Sequence, residues 1–324
     1  MRHLLLGLLL TAGIVASALQ PAVAEGPGKR IAFSATSTKQ PFVATLARTL
    51  QTEAAARDMT VTVLTAGYDS AAQAQQISDA IAQKYDAIAV LAIDQHAIVP
   101  TLVRAKAAGI PIVLVNSPIE PGHDDLYVTL VAENKVDLGR MGAEAVLKAA
   151  TDRKTVKTAI ISGTLTESTP ELQIAGFKEV AAKNPKLKIM AIEDAHWDMA
   201  KSEQIAGQLF ARFAAQGGLD AIFTMVDNMA DGAIQAARTA DIPLGTADHK
   251  LILVSSGCMK FGLDPIRKGE QYATMAVLPT RTGKVTAQVL ADYFKGKSLP
   301  KRTLLPVEEI TKANVEQYAK ACTY

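Results

Sequence analysis

The chain has 324 residues, with 34 lysines and arginines against 32 aspartates and glutamates, for a formal net charge of +2. Spread along the chain, these charges exclude the basic stripe of a nucleic-acid binder and leave no footprint for an acidic partner. The length accommodates two domains, and the five histidines are scattered without metal-ligand spacing, so no metal and no cofactor is expected.

At the start, Met1-Arg2-His3 is basic, residues 4–19 are apolar, and Ala22-Val23-Ala24 is a small-x-small cleavage site before Glu25. That order predicts a cleavable signal peptide over 1–24 and export of the rest. The apolar run is short for a membrane span, and no cysteine follows it, so no lipid anchor is expected. In an oxidising compartment Cys258 and Cys322 are permitted to pair, but nothing in the sequence brings them together.

Strand and helix signals then alternate. Arg30–Ser34 reads as a strand, and Pro41 opens a helix carrying Phe42, Leu46, Leu50 and Ala54. Thr60–Leu64 is β-branched, and Asp69-Ser70 is placed to cap a helix through Ala74, Ile77 and Ile81. Ile88–Ile93 is an apolar run of strand length, and Ile98, Leu102 and Ala105 follow at helical spacing. Pro100 is compatible with that helix only near its start, where the missing N–H falls among the unpaired donors. Pro111–Val115 and Leu126–Val131 read as strands, and Leu138, Met141, Ala145 and Leu147 as a helix. Thr158–Ser162 is a strand, Pro170 suits the first position of the next helix, Leu187–Ile192 is a strand, and Ile205, Leu209 and Phe213 mark a helix. Ile222–Val226, Leu251–Ser255, Gln271–Val277 and Leu304–Val307 are further strands, with helices through Ile234 and Ala237, over Thr280–Tyr293, and from about Thr311.

One stretch occurs twice. Residues 85–111 and 219–243 each open on Asp-Ala-Ile, run through an apolar segment to an Asp, enter an alanine-rich amphipathic stretch and close on Ile-Pro. Each makes a βαβ unit, and two of them about 130 residues apart imply two similar lobes. Strands alternating with helices predict an α/β fold of doubly wound parallel sheets. Ligands of such sheets sit beyond the carboxyl ends of the strands, which singles out Gln40, Asn116, Ser117, Glu167, Trp197, Asp227 and Ser256. No dinucleotide fingerprint, phosphate-binding loop or nucleophile elbow is present. His196 beside Asp194 and Asp198 reads as a solvated loop, and Cys258 has no histidine in a partner motif. Nothing in the residues supports an enzyme.

The segments I-A-F-S-A-T-S-T-K-Q-P-F at 31–42, G-I-P-I-V-L-V-N at 109–116 and A-G-F-K-E at 175–179 resemble the periplasmic sugar-binding proteins of the ribose-binding type. So do D-A-I-F-T-M-V-D-N-M-A-D-G-A at 220–233 and G-E-Q-Y-A-T-M-A-V-L-P at 269–279. The resemblance implies two Rossmann-like lobes, over 28–131 plus 278–305 and over 132–277 plus 306–324, joined by a three-crossing hinge near Val131, Val277 and Leu305. It also implies a periplasmic location and delivery of ligand to an ABC transporter permease, with a chemoreceptor as a further partner and a monomer as the working state.

The aligned ligand positions depart from the family. Gln40-Pro41-Phe42 keeps one aromatic, but Val43 stands where the family has a second. Asn116-Ser117 stands for its Asp-Arg, Gln173 for its Arg, Val226 for the Asn before Asp227, and Val277 for its hinge Gln. The family's Asp near Gly257 has no acidic counterpart at the aligned position, while the aromatic of the second lobe is kept as Trp197. The resemblance therefore makes Gln40, Phe42, Asn116, Ser117, Gln173, Trp197, Val226, Asp227 and Val277 the ligand-binding set. Exchanging a charged clamp for amides, hydroxyls and apolar surface suits a neutral carbohydrate-like ligand, such as a sugar, a deoxy or substituted sugar, or a polyol. Two other readings share this fold: a secreted sensor that presents its ligand to a receptor, and the effector domain of a transcription regulator. The regulator needs a DNA-binding segment before residue 30, where the signal peptide stands.

Overall fold

The computed structural model describes residues 28–322 and Tyr324, so the expected signal peptide at 1–24 lies outside the described residues. The first half of the chain alternates β1 (Lys29–Ala35), α1 (Pro41–Ala55), β2 (Met59–Thr65), α2 (Ser70–Ala82), β3 (Ala87–Val90), α3 (Val99–Ala107), β4 (Ile112–Val115) and β5 (Thr129–Glu133). A second series follows: α4 (Lys135–Ala149), β6 (Val156–Ser162), α5 (Ser168–Lys183), β7 (Leu187–Asp194), α6 (Met199–Phe213), β8 (Ala221–Thr224), α7 (Asp227–Thr239), β9 (Ile252–Gly257), α8 (Leu263–Lys268) and β10 (Ala273–Ala276). The chain ends through α9 (Pro279–Phe294), β11 (Arg302–Leu305), β12 (Glu309–Thr311) and α10 (Val315–Tyr318).

These strands form two sheets, ordered β11-β5-β4-β3-β1-β2 and β12-β10-β9-β8-β6-β7. All pairings are parallel except β10 with β12. The central strands β3 (AIAV), β4 (IVLV) and β8 (AIFT) are buried along their whole length, as strands covered on both faces must be. In the first lobe, Leu46, Leu50 and Leu290 of α1 and α9 pack on one face of the sheet. Ile77 and Leu102 of α2 and α3 pack on the other. The second lobe is built alike, with α4 beside α5 and α6 beside α7.

Local chemistry sets the helix starts that later matter for the site. Asp69 accepts from the Ala71 and Ala72 amides, Asn134 from those of Val136 and Asp137, and Asp198 from that of Lys201. Gly139 and Gly176 let α4 and α5 touch backbone to backbone, since a Cβ on either would overlap a carbonyl of the other helix.

The chain passes between the sheets three times: at Asn134, at Val277-Leu278, and at residues 306–308. β5 stays paired with β11 through Glu133, so the first sheet continues past the boundary expected after 131. Two strand expectations change. The 126–131 stretch starts as a 3₁₀ turn at Asp124–Leu126, and pairing begins only at Thr129. The single strand expected at Leu304–Val307 is two strands in different sheets, because Pro306 has no N–H to donate to a ladder and the chain crosses there. The helix expected from about Thr311 is the single turn α10, and Pro170 is the third residue of α5, still within its unpaired first turn. Cys258 and Cys322 form a disulfide with Cα atoms 4.7 Å apart, inside the usual range. Among the described residues no helix is long and apolar enough to cross a membrane, and no cluster of three metal-ligating side chains occurs.

Candidate functional site

The carboxyl ends of both sheets face one another across a cavity open to the centres of water molecules over about 90 Å³, where a single water needs about 10–15 Å³. The first lobe contributes Thr36 after β1, Gln40, Phe42 and Val43 at the start of α1, Tyr68 before α2, Leu91 after β3 and Asn116 after β4. The second contributes Lys135 and Leu138 of α4, Glu167, Thr169 and Gln173 around the start of α5, and Trp197 before α6. Met225 and Val226 before α7, then Ser256, Gly257 and Met259 at the end of β9, complete its side. Val277 lies at a crossing, and Tyr324 enters from beyond α10. The wall thus gathers the amino ends of several helices, whose dipoles favour oxygen-rich groups.

Trp197 is held by unusual backbone. His196 and Trp197 both adopt left-handed φ, 50° and 60°, which swings the indole over Gly163, where a Cβ would overlap the ring. Its Nε1–H donates to Glu167 Oε1 at 2.9 Å, and its carbonyl accepts from Asn228 Nδ2 at 2.8 Å. The Glu167 carboxyl is pushed up to about 8, chiefly by burial and further by the nearby Asp194 charge, with the Trp197 bond acting against the rise. Burial, and then the proximity of Glu167, also raises the Tyr68 hydroxyl. Phe42 meets the Tyr324 ring edge-on, with centroids 6.2 Å apart.

The opposite corner carries a buried ion pair. Lys135 Nζ donates to Glu133 Oε2 at 3.0 Å and to Asn116 Oδ1 at 2.9 Å, tying α4 of the second lobe to the first sheet. Asn116 reaches this place through a left-handed φ of 64°. Two polar atoms on wall residues, Gln173 Oε1 and Ser256 Oγ, are buried without a hydrogen-bond partner in the protein.

Seven of the nine residues singled out from the sequence, Gln40, Phe42, Asn116, Gln173, Trp197, Val226 and Val277, are brought together on this wall. Two are not. Ser117 points into the contact between lobes, its Oγ 2.8 Å from Thr169 Oγ1. Asp227 lies beneath the wall, accepting from Ser255 Oγ and Thr274 Oγ1 on one oxygen and from the Cys258 and Met259 amides on the other. Asp227 therefore shapes the 257–259 turn, and Gly257 is required there because a Cβ would sit 2.5 Å from its carboxylate. Fewer charges were expected here than in the family, with Asp227 the one acidic member of the set; Asp227 lies beneath the wall, and Lys135 and Glu167 stand on it. Glu167 and Ser256 were already marked by the strand-end rule. Lys135, Tyr68, Met225, Met259 and Tyr324 carried no comparable signal.

Residues 31–298 match the periplasmic binding protein domain family. The chain is 27% identical over 278 residues to the ribose import binding protein of Bacillus subtilis (strain 168), covering 86% of each. It is 25% identical over 269 residues to the xylitol-binding protein of Mycolicibacterium smegmatis, covering 82% of this chain and 73% of that one. A solved galactofuranose binding protein shares the fold with a TM-score of 0.83 at 20% identity, covering 90% of this chain and 97% of that chain. The chain belongs to the periplasmic binding protein domain family.

Proposed function

We propose, from that membership, that the chain is the substrate-binding component of an ABC importer and holds a neutral, polyhydroxylated ligand, a sugar or polyol, in the interlobe cavity. The observation that carries the ligand class is the pair of unpartnered buried atoms, Gln173 Oε1 and Ser256 Oγ, on a wall otherwise rich in aromatic faces. A buried acceptor without a partner costs free energy in the empty protein, and a ligand hydroxyl placed there removes the cost. The C–H faces of a sugar or polyol suit the rings of Phe42, Tyr68 and Trp197.

The wall charges agree with a neutral ligand. Lys135 is matched by Glu133, and a carboxyl with its midpoint at about 8 is mostly protonated at neutral pH. Export to the periplasm, a permease as partner, a hinge closing at the three crossings and action as a monomer belong to the same reading. So does the assignment of Gln40, Phe42, Asn116, Gln173, Trp197, Val226 and Val277 as ligand contacts, with Ser117 and Asp227 acting behind the wall.

A thermal-shift panel of neutral sugars and polyols tests the reading. A ligand present at a hundred times its Kd stabilises the folded state by about 2.7 kcal/mol, a shift of several degrees. No shift from any member of the panel, together with a shift from charged sugars or amino acids run beside it, overturns it.

A further inference from the structure

Every wall residue but one comes from a strand end, a helix start or a crossing. Tyr324 comes from the arm after α10, which has no place in either sheet. Three groups hold its ring and backbone: Tyr324 Oη donates to the Val277 carbonyl at 3.1 Å, the Tyr324 carbonyl accepts from the Lys260 amide at 3.0 Å, and Phe42 of the first lobe packs edge-on against the ring. The arm is fastened two residues earlier by Cys322, whose partner Cys258 directly follows Gly257 on the wall. Cys258 is itself fixed, because its amide is one of the donors to buried Asp227. The disulfide sits in a small separate core with Leu263, Ile266, Leu278, Ile310 and Val315.

We propose that Tyr324 is a ligand-contacting, specificity-determining side of the cavity, and that the Cys258–Cys322 disulfide keeps it there. This rests on the reading of the cavity as a sugar or polyol site. With the bond intact, the arm has little freedom left to lose and the ring meets the ligand already placed, which is the advantage of a preorganised contact. Reduced, Tyr324 keeps its two hydrogen bonds, the Phe42 contact and its packing on the small core, and Ala321 and Cys322 keep their bonds to the Tyr318 carbonyl; with no covalent tie left, the arm opens as a local unit without unfolding either sheet. Tyr324 meets Phe42 of one lobe through its ring, the Val277 crossing through its hydroxyl and Lys260 after β9 of the other lobe through its backbone oxygen, so its departure removes a contact that closure completes.

The test has two arms. In the first, Tyr324 nitration by tetranitromethane is followed by peptide mass mapping, with the disulfide intact and after dithiothreitol. Slow nitration that becomes several-fold faster on reduction is expected. Equal rates overturn the tether.

In the second, D-ribose, xylitol and myo-inositol are titrated calorimetrically into oxidised wild type, Tyr324→Ala, Tyr324→Phe and the double variant Cys258→Ser with Cys322→Ser. For any that bind wild type, Tyr324→Ala and the double variant are expected to bind about tenfold more weakly, as loss of one aromatic face implies. Tyr324→Phe stays within about threefold, and dithiothreitol weakens wild type but adds nothing to the loss in Tyr324→Ala, since the bond acts through the ring. Unchanged affinity in Tyr324→Ala, or a further loss on reducing it, overturns the proposal. If oxidised wild type binds none of the three, the neutral compound that most raises the melting temperature in the thermal-shift panel is titrated in their place; if that panel is negative as well, the carbohydrate reading fails and the nitration arm alone decides the tether.

Discussion

Glu167 is a carboxyl that folding moves out of water and gives no cation. Its acceptance of the Trp197 N–H favours the charged form, but desolvation outweighs it, and the midpoint rises from the ordinary glutamate value of about 4.5 to about 8. Between those two values the folded protein holds a proton that the unfolded chain has lost. Stability from this group is therefore complete below about 4.5 and is lost as pH climbs through about 8. The loss approaches about 1.4 kcal/mol per pH unit inside the window. Melting the ligand-free protein from about pH 5 to pH 8 should show a falling midpoint. Glu167→Gln, which keeps an acceptor for the indole but cannot ionise, should flatten that slope. Parallel slopes in the two proteins would mean that Glu167 is already ionised at neutral pH.

At the scale of elements, the strand ends and helix starts were legible because their signals are local. Apolar runs of four residues, the Asp69 cap and the helical spacing of Leu46 with Leu50 need no knowledge of the rest of the chain. What a strand end does not reveal is the direction of each side chain beyond it. Asn116 and Ser117 are neighbours, yet a left-handed turn sends one to the cavity and the other to Thr169. Asp227 follows a wall residue and is turned under the wall by two hydroxyls and two amides. Lys135 was invisible because its meaning depends on Glu133 and Asn116 converging across two lobes. The Gly163–Trp197 contact joins the ends of β6 and β7 in the same way and is open to a direct check. Gly163→Ala places a methyl where the indole lies, so the ring must leave its seat and its bond to Glu167. Because the chain has a single tryptophan, the emission of this variant should move to longer wavelength as the ring gains water, and affinity for any ligand that binds wild type should fall about tenfold. Wild-type emission and affinity together would show that the indole is not seated on Gly163.

For the whole molecule, the lobes meet through a rim of polar contacts beside the cavity, of whose members only Thr169 also lines its wall. Gln95 Nε2 donates to Glu171 Oε2 at 2.6 Å, Ser168 Oγ donates to the Pro118 carbonyl at 2.7 Å, and Ser117 meets Thr169. Each joins a loop of the first lobe to the start of α5 in the second, so each exists only while the lobes are together. A ligand held between lobes selects the closed arrangement, and its apparent affinity scales with the closed population in the free protein. Rim bonds therefore add to affinity without touching the ligand. Gln95→Ala and Ser168→Ala each remove one such bond, worth about 0.5–1.5 kcal/mol net for a neutral pair and more where the Glu171 carboxylate is the acceptor. Affinity should fall by roughly two- to tenfold or somewhat more in each. The ligand-free variants should also scatter X-rays with a larger radius of gyration than ligand-free wild type, and saturating ligand should bring all three proteins to the same compact value. Equal radii for the ligand-free proteins together with undiminished affinity would mean that the rim bonds do not bias closure, leaving the balance between open and closed to the three crossings alone.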